Sequence, residues 1–133
     1  MPHGRSDEDW SRMMEAARNI MVHTARRQQL IAYTDLNRDL NEDAGTQPFD
    51  SPRDADRNAL VTLLADVVKD DLLHSRFMLS SVVEVTDGDG PGEGFYALAE
   101  YLDHLEPGAS AERKHEFWIE QVKLTHDHYR RRI

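Results

Sequence analysis

Apolar residues recur at three- and four-residue intervals along most of the chain, and this spacing places side chains on one face of an α-helix. The first such stretch runs from Asp7 to about Gln28, with a single stripe formed by Trp10, Met13, Met14, Ala17, Met21 and Thr24. Ser6 is a suitable N-cap, and the three acidic residues after it favour the positive end of the helix dipole. The pattern restricts the chain to a mostly helical fold.

Four further helices are predicted. The second is short and is capped by Thr34. The third opens at Ser51-Pro52, because proline suits the first turn of a helix, and its stripe consists of Leu60, Leu63, Leu64, Val67 and Val68. Residues 95–102 form the fourth helix. Ser110 caps the fifth, whose stripe consists of Ala111, Trp118, Val122, Thr125 and Tyr129.

Two segments have the character of strands instead. Residues 30–33 are too few for a helix and rich in strand-forming side chains, and residues 78–86 alternate with a period of two. Four glycines and a proline between Asp87 and Gly94 predict a turn after the second strand. We therefore expect a mostly α (α+β) fold with about five helices and a small two-stranded β element. The periodicity of Trp10, Trp118 and the methionines suits either a core or a dimer face, and a core is expected at this chain length.

The charges are distributed unevenly along the 133 residues, which carry a net charge of −9. Residues 59–112 hold 2 basic and 11 acidic side chains, whereas residues 113–133 hold 6 basic and 3 acidic ones. An acidic middle repels phosphates, so any contact with nucleic acid is expected at the two ends of the chain. The chain has no Cys, which excludes disulfides, thiolate-held metals and thiol nucleophiles.

Several other classes of protein find no support in the sequence. No apolar run approaches the roughly 20 residues of a membrane helix, and no signal-peptide core follows Met1, so a cytoplasmic protein without a membrane partner is expected. No glycine elbow surrounds Ser80 or Ser81, and Ser81 is expected to be a small core residue. Glu84 and Asp87 do not form a recognisable acid–base pair. The sequence therefore predicts a protein that is not an enzyme and holds no cofactor.

Asp87, Asp89 and Glu93 are the weak candidates for binding a hard cation such as calcium. They do not form an EF-hand, since Pro91 would occupy the third ligand position and Leu98 the position of the bidentate glutamate. A solvated turn is the favoured interpretation of this segment.

His126 and His128 form the densest histidine cluster of the chain. Side chains two positions apart on a helix point about 200° away from each other, so one helix cannot present both to one metal ion. His115-Glu116 lacks a second histidine one turn later, where Ile119 stands. No metal site is expected here.

Two segments resemble known families. LIAYTDLN at 30–37 is similar to the "ITYxxLA" opening of small winged-helix-like modules, and residues 78–102 resemble an "MLSxVVVxxxxxxPGxGFxxLAxxLG" block found in a family of uncharacterised small bacterial proteins of actinobacterial type. The most specific element is Pro91-Gly92-x-Gly94-Phe95, and the late aromatics of that family are matched by Phe117, Trp118 and Tyr129. The resemblance covers most of residues 30–129.

The arrangement is also distantly similar to the winged-helix domain of alkyltransferase-like proteins, in which a Thr-Tyr precedes a helix-turn-helix and a glycine-containing hairpin forms a wing. Their Pro-Cys-His-Arg motif is absent here, so the resemblance implies a scaffold and no alkyl transfer. It implies a single winged-helix-like domain over residues 1–133. Within it we expect a tail at 1–6, an N-terminal helix at 7–28, a winged-helix-like core at 30–105 and a C-terminal helix at 110–133.

Nucleic acid is the leading candidate partner, and the candidate contacts lie in three places. They are Arg26 and Arg27 at the end of the first helix, Thr34, Asn37 and Arg38 on the second together with Tyr33, and Arg130, Arg131 and Arg132 at the C-terminus. The exposed face of the third helix carries Asp56, Asp66 and Asp70, which disfavours direct reading of DNA by that helix. We therefore predict an accessory or regulatory binding module in a nucleic-acid-associated process. The alternative is an acidic adaptor or inhibitor whose middle docks on a basic protein.

Overall fold

The computed structural model describes residues 6–46, 54–71, 77–85 and 90–130, with the side chains of 54–58 excepted. Its helices are α1 (Asp7–Arg26), α2 (Tyr33–Ala44), α3 (Asp54–Asp71), α4 (Glu93–Tyr101) and α5 (Ala111–Arg130). Its strands are β1 (Ile31–Ala32) and β2 (Val83–Glu84), and a 3₁₀ turn spans Leu79–Val82. The described chain is thus mostly helical, as predicted. The predicted opening of the third helix at Ser51-Pro52 lies outside the described residues.

The ends of the helices follow local chemistry. The Ser6 hydroxyl accepts a hydrogen bond from the Asp9 amide at 3.0 Å, and the Ser110 hydroxyl accepts one from the Arg113 amide at 3.1 Å, which confirms both predicted caps. The predicted cap at Thr34 is wrong. Helix α2 begins at Tyr33, and its N-cap is Ala32, which makes no side-chain hydrogen bond. At the other end of α2, Gly45 adopts the left-handed conformation that favours glycine (φ 71°).

β1 and β2 pair in parallel, with Ile31 opposite Val83 and Ala32 opposite Glu84. Parallel neighbours require a long connection between them, and here the connection contains α2 and α3. The carboxyl ends of both strands therefore lie at the same edge of this small sheet.

The strand predicted over residues 78–86 is mostly wrong, because among the described residues 78–85 only Val83 and Glu84 pair as a strand and Leu79–Val82 form the 3₁₀ turn. Thr86 lies outside the described residues. Helix α5 satisfies the backbone of this turn with side chains. Gln121 Oε1 accepts from the Met78 amide at 2.8 Å, and Trp118 Nε1 donates to the Ser81 carbonyl at 2.8 Å. A segment whose buried polar groups have such partners does not need a strand ladder.

Two clusters of buried side chains form the core. The larger joins the inner faces of α1, α2 and α3 to the 3₁₀ turn, and the smaller joins α4 to the first half of α5. These clusters contain side chains for which the sequence left open a core or a dimer face, and these four are buried: Trp10, Met13, Met21 and Trp118. They therefore belong to the core. Trp10 Nε1 also donates to Asp66 Oδ2 at 3.1 Å, so one of the expected exposed acids of α3 is engaged inside the fold.

Candidate functional site

The two basic segments predicted at opposite ends of the sequence come together in space. Helix α1 ends at Arg26 with Arg27 as its C-cap, and Gln28 then adopts a left-handed conformation (φ 57°). The side-chain nitrogen Nε2 of Gln28 donates to the Ala25 carbonyl at 2.8 Å and to the His126 carbonyl at 2.9 Å. The C-terminal ends of α1 and α5 are therefore held side by side.

Two further contacts join these helix ends. Arg130 Nη2 donates to Gln28 Oε1 at 3.1 Å, and His126 Nε2 lies 3.0 Å from the Gln29 carbonyl oxygen. We call the surface formed by Arg26, Arg27 and Arg130 the basic end. Arg26 and Arg27 are exposed and form no ion pair with the described residues, whereas Arg130 pairs with Asp127 at 3.1 Å. Arg131 and Arg132 lie outside the described residues.

Arg38 does not join the basic end. Its guanidinium lies 3.0 Å from Asp39 and 3.3 Å from Asp35, on the exposed side of α2. The hydrogen bond with Asp39 and the charges of both carboxylates raise the pKa of Arg38 above its usual value. Arg38 thus pairs with two carboxylates of its own helix, whereas Arg130 pairs with one, so Arg38 is the poorer candidate for a phosphate contact.

A groove of about 530 Å³ lies between the exposed sides of α1 and α2, beside the basic end. His23 and Arg27 line it on the α1 side, and Asp39, Glu42 and Asp43 line it on the α2 side. The exposed surface of α2 is consequently acidic and lies directly beside the basic end. This charge separation was not visible in the sequence, because the two walls come from different helices.

Thr34 and Asn37 lie in a different place from the arginines. Both line a cavity of about 280 Å³ bounded by the first turn of α2, the middle of α3 and the start of α4. Its apolar walls come from Leu60, Val61 and Val85. The two polar residues therefore face an apolar pocket and are not part of the basic end.

The glycines of the Pro91–Gly94 segment shape this pocket. A Cβ on Gly94 would lie 2.7 Å from Val61 Cγ1, and one on Gly92, whose φ is 86°, would lie 2.9 Å from Val85 Cγ2. No side chain fits at either position without displacing a valine. Tyr33 Oη donates to the Pro91 carbonyl at 3.1 Å and fixes the same segment to α2. The Pro91-Gly92-x-Gly94-Phe95 motif thus marks one wall of the pocket in the sequence. The sequence did not show that its glycines approach Val61 and Val85.

The candidate metal ligands of the sequence do not form a site in the described part of the chain. Asp87 and Asp89 lie outside the described residues, and Glu93 is exposed in the first turn of α4. Within the described ranges, no group of three His, Cys, Asp or Glu side chains is arranged to hold a metal ion. Helix α5 continues to Arg130, so His126 and His128 project in different directions, and the His128 ring packs 4.9 Å from the Phe77 ring.

Ser81 is fully buried, which confirms it as a core residue, and its hydroxyl lies 3.1 Å from that of Thr125. None of the described helices is long and apolar enough to cross a membrane.

No protein-family model matches the chain, and searches of curated proteins and of solved structures find no match.

Proposed function

We propose that the chain is a non-enzymatic binding module that contacts the phosphates of a nucleic acid through its basic end. The observation that carries the proposal is that the side chain of Gln28 joins Arg130 of α5 to the end of α1, where Arg26 and Arg27 directly precede Gln28 in the chain. Residues 131 and 132 extend the same terminus with two more arginines. Arginines with exposed guanidinium groups are the side chains that neutralise phosphates and release counterions.

The role proposed for this module is accessory or regulatory, and a winged-helix-like scaffold is part of the same proposal. The support for this scaffold is the element order, in which α1 and β1 are followed by two helices, α2 and α3, and then by β2. A wing requires an antiparallel hairpin, whereas the two described strands are parallel. The proposed contact therefore uses the basic end, and neither a wing nor α3 is assigned a part in it.

Fluorescence anisotropy of labelled duplex DNA and single-stranded RNA tests the proposal. We expect binding that weakens as salt rises, since each phosphate contact releases counterions. The double variant Arg26→Gln, Arg27→Gln should weaken binding by about tenfold and reduce the salt slope by about two, one unit for each phosphate contact. Arg113→Gln is the matched control, because Arg113 is already paired with Glu106 at 3.0 Å elsewhere on the chain. Absence of binding at low salt, or equal losses in both variants, would refute the proposal.

A second candidate function follows from the acidic surface of α2. Asp35, Asp39, Glu42 and Asp43 lie on one helix that carries Arg38 as its only cation. This surface favours an acidic adaptor or inhibitor that docks on a basic protein. Titration with a labelled arginine-rich peptide distinguishes the two: the double variant Glu42→Gln, Asp43→Asn should weaken peptide binding, and Arg26→Gln, Arg27→Gln should not. The opposite pattern would refute this candidate.

A further inference from the structure

The cavity between α2, α3 and α4 lies at the carboxyl edge of the parallel strand pair. Tyr33 and Thr34 follow β1 directly, and Val85 follows β2 directly. The residues that come after each strand therefore line the cavity. In open sheets with parallel strands, ligands bind in the crevice outside the carboxyl ends of the strands. We propose that this cavity is a binding site for a small uncharged ligand with an apolar body and one hydrogen-bonding end.

The apolar body is inferred from the walls. Val61 and Val85 are 36% and 42% exposed, although both are large aliphatic side chains, and the surface that they expose lines this cavity beside Leu60. Covering such surface is worth about 25 cal/mol for each Å² removed from water. The ring of Tyr33 adds a further wall, since its hydroxyl is already engaged by the Pro91 carbonyl.

The size of the ligand follows from the volume. At about 280 Å³ the cavity is slightly smaller than the 300–1,000 Å³ that is usual for sites of drug-sized ligands. Val61 and Gly94 both line the cavity and approach each other so closely that a Cβ on Gly94 would lie 2.7 Å from Val61 Cγ1. A single ring with a short polar substituent is therefore a suitable occupant.

The absence of charge on the ligand follows from the side chains of the wall. Moving an ion into an apolar site is costly unless the ion is paired. Glu93 is exposed and lines the cavity, so its carboxylate repels an anion. The same carboxylate is screened by solvent and therefore offsets little of the cost of moving a cation into the site. The Thr34 hydroxyl, on the exposed first turn of α2, lines the cavity and is the partner that we assign to the one hydrogen-bonding end of a neutral ligand.

Three probes that share one ring and differ in charge test this inference: benzamide, benzoate and benzylammonium. Each is titrated into ¹⁵N-labelled full-length protein while backbone amide shifts are recorded. We expect benzamide to give saturable shifts at Thr34, Asn37, Val85 and Gly94, and to bind more tightly than either charged probe. Tighter binding of benzoate or benzylammonium at the same amides would overturn the assignment of an uncharged ligand.

Variants that fill the cavity provide the second arm. Val85→Phe and Thr34→Phe place an aromatic ring in the mouth and should each weaken benzamide binding by at least about tenfold, since the probe then competes with a tethered side chain. Leu124→Phe is the matched control, because Leu124 is an exposed apolar residue of α5 that does not line the cavity. If one of the two filling variants fails to fold, the other still tests whether benzamide binds in the cavity.

Three outcomes of this arm would overturn the site: no saturable shifts, shifts that both filling variants leave unchanged, or shifts at the same amides that depend on protein concentration without any probe. The last would show that a second copy of the chain occupies the cavity. The inference does not depend on the basic end, and the variants of Arg26 and Arg27 should bind benzamide as the unaltered protein does.

Discussion

Arg130 donates two hydrogen bonds to the side-chain oxygen of Gln28, from Nε at 3.3 Å and from Nη2 at 3.1 Å, although 102 residues separate the two. Through its amide nitrogen, the same Gln28 side chain also reaches the carbonyls of Ala25 and His126. One exposed glutamine thus connects the ends of α1 and α5 and assembles the basic end.

Replacing Gln28 should separate the two helix ends. We expect Gln28→Ala to lower the free energy of unfolding by about 1 kcal/mol, because the side-chain hydrogen bonds are lost. Gln28→Gly should cost less, since glycine adopts the left-handed backbone (φ 57°) without strain. Urea unfolding of both variants measures the difference. Hydrogen exchange should become faster at residues 126–130 in each, and unchanged exchange there would contradict the bridging role.

The buried hydroxyls of Ser81 and Thr125 should be coupled. They lie 3.1 Å apart, and Thr125 Oγ1 also donates to the Gln121 carbonyl at 2.8 Å. Thr125→Val keeps the shape of the side chain but leaves the Ser81 hydroxyl without this partner, at a cost of about 1–3 kcal/mol. Adding Ser81→Ala to that variant should cost less than Ser81→Ala does alone. Additive losses in denaturant unfolding would show that the two hydroxyls do not interact.

Gly94 should resist substitution because of Val61. A Cβ at Gly94 would lie 2.7 Å from Val61 Cγ1, so Gly94→Ala should destabilise the protein by about 1–3 kcal/mol through overpacking. In the background Val61→Ala the clash is removed, and Gly94→Ala should then stabilise α4 by up to about 1 kcal/mol, the helix propensity of alanine over glycine. Thermal unfolding of the four proteins measures the change of sign.

Gly45→Ala is the control for that series. No atom of the described residues lies within 4 Å of a Cβ at Gly45, but its φ is 71°. Its cost should come from backbone strain alone and should be the same with or without Val61→Ala. The packing argument would be contradicted if Val61→Ala changed the stability cost of Gly45→Ala. It would also be contradicted if Val61→Ala left the cost of Gly94→Ala unchanged.

Tyr33 should make the stability of the protein sensitive to alkaline pH. Burial raises the pKa of Tyr33 to about 12 from the ordinary value of 10.0. The folded state therefore keeps the phenolic proton at pH values where the unfolded state loses it. The contribution of Tyr33 to stability is complete below pH 10 and is lost as the pH rises towards 12, by about 1.4 kcal/mol per pH unit at most.

Comparing unfolding at pH 8 and pH 11 checks this dependence. Tyr33→Phe should lose about 1 kcal/mol less between the two pH values than the unaltered protein does. Tyr101→Phe, at a side chain that is 74% exposed, should behave like the unaltered protein. Equal losses in all three proteins would show that the Tyr33 phenol is not protected.

The difference between sequence and structure is clearest at residues 78–86. Their alternation with a period of two is a local property that a strand and a 3₁₀ turn can both present when the segment is buried on both sides. Gln121 and Trp118 of α5 decide the outcome by hydrogen bonding to the backbone of Met78 and Ser81. No inspection of the segment itself reveals partners that lie about 40 positions further along the chain.

The sequence by itself determined the helices, because caps such as Ser6 and Ser110 and the spacing of the apolar residues act within a few residues of the chain. Tertiary structure alone decided the sites. It separated Thr34 and Asn37 from the arginines, paired Arg38 with the carboxylates of its own helix, and joined the end of α1 to Arg130 through Gln28. The physical reason is that helix formation depends on contacts between near neighbours, whereas a surface or cavity depends on the packing of helices far apart in sequence.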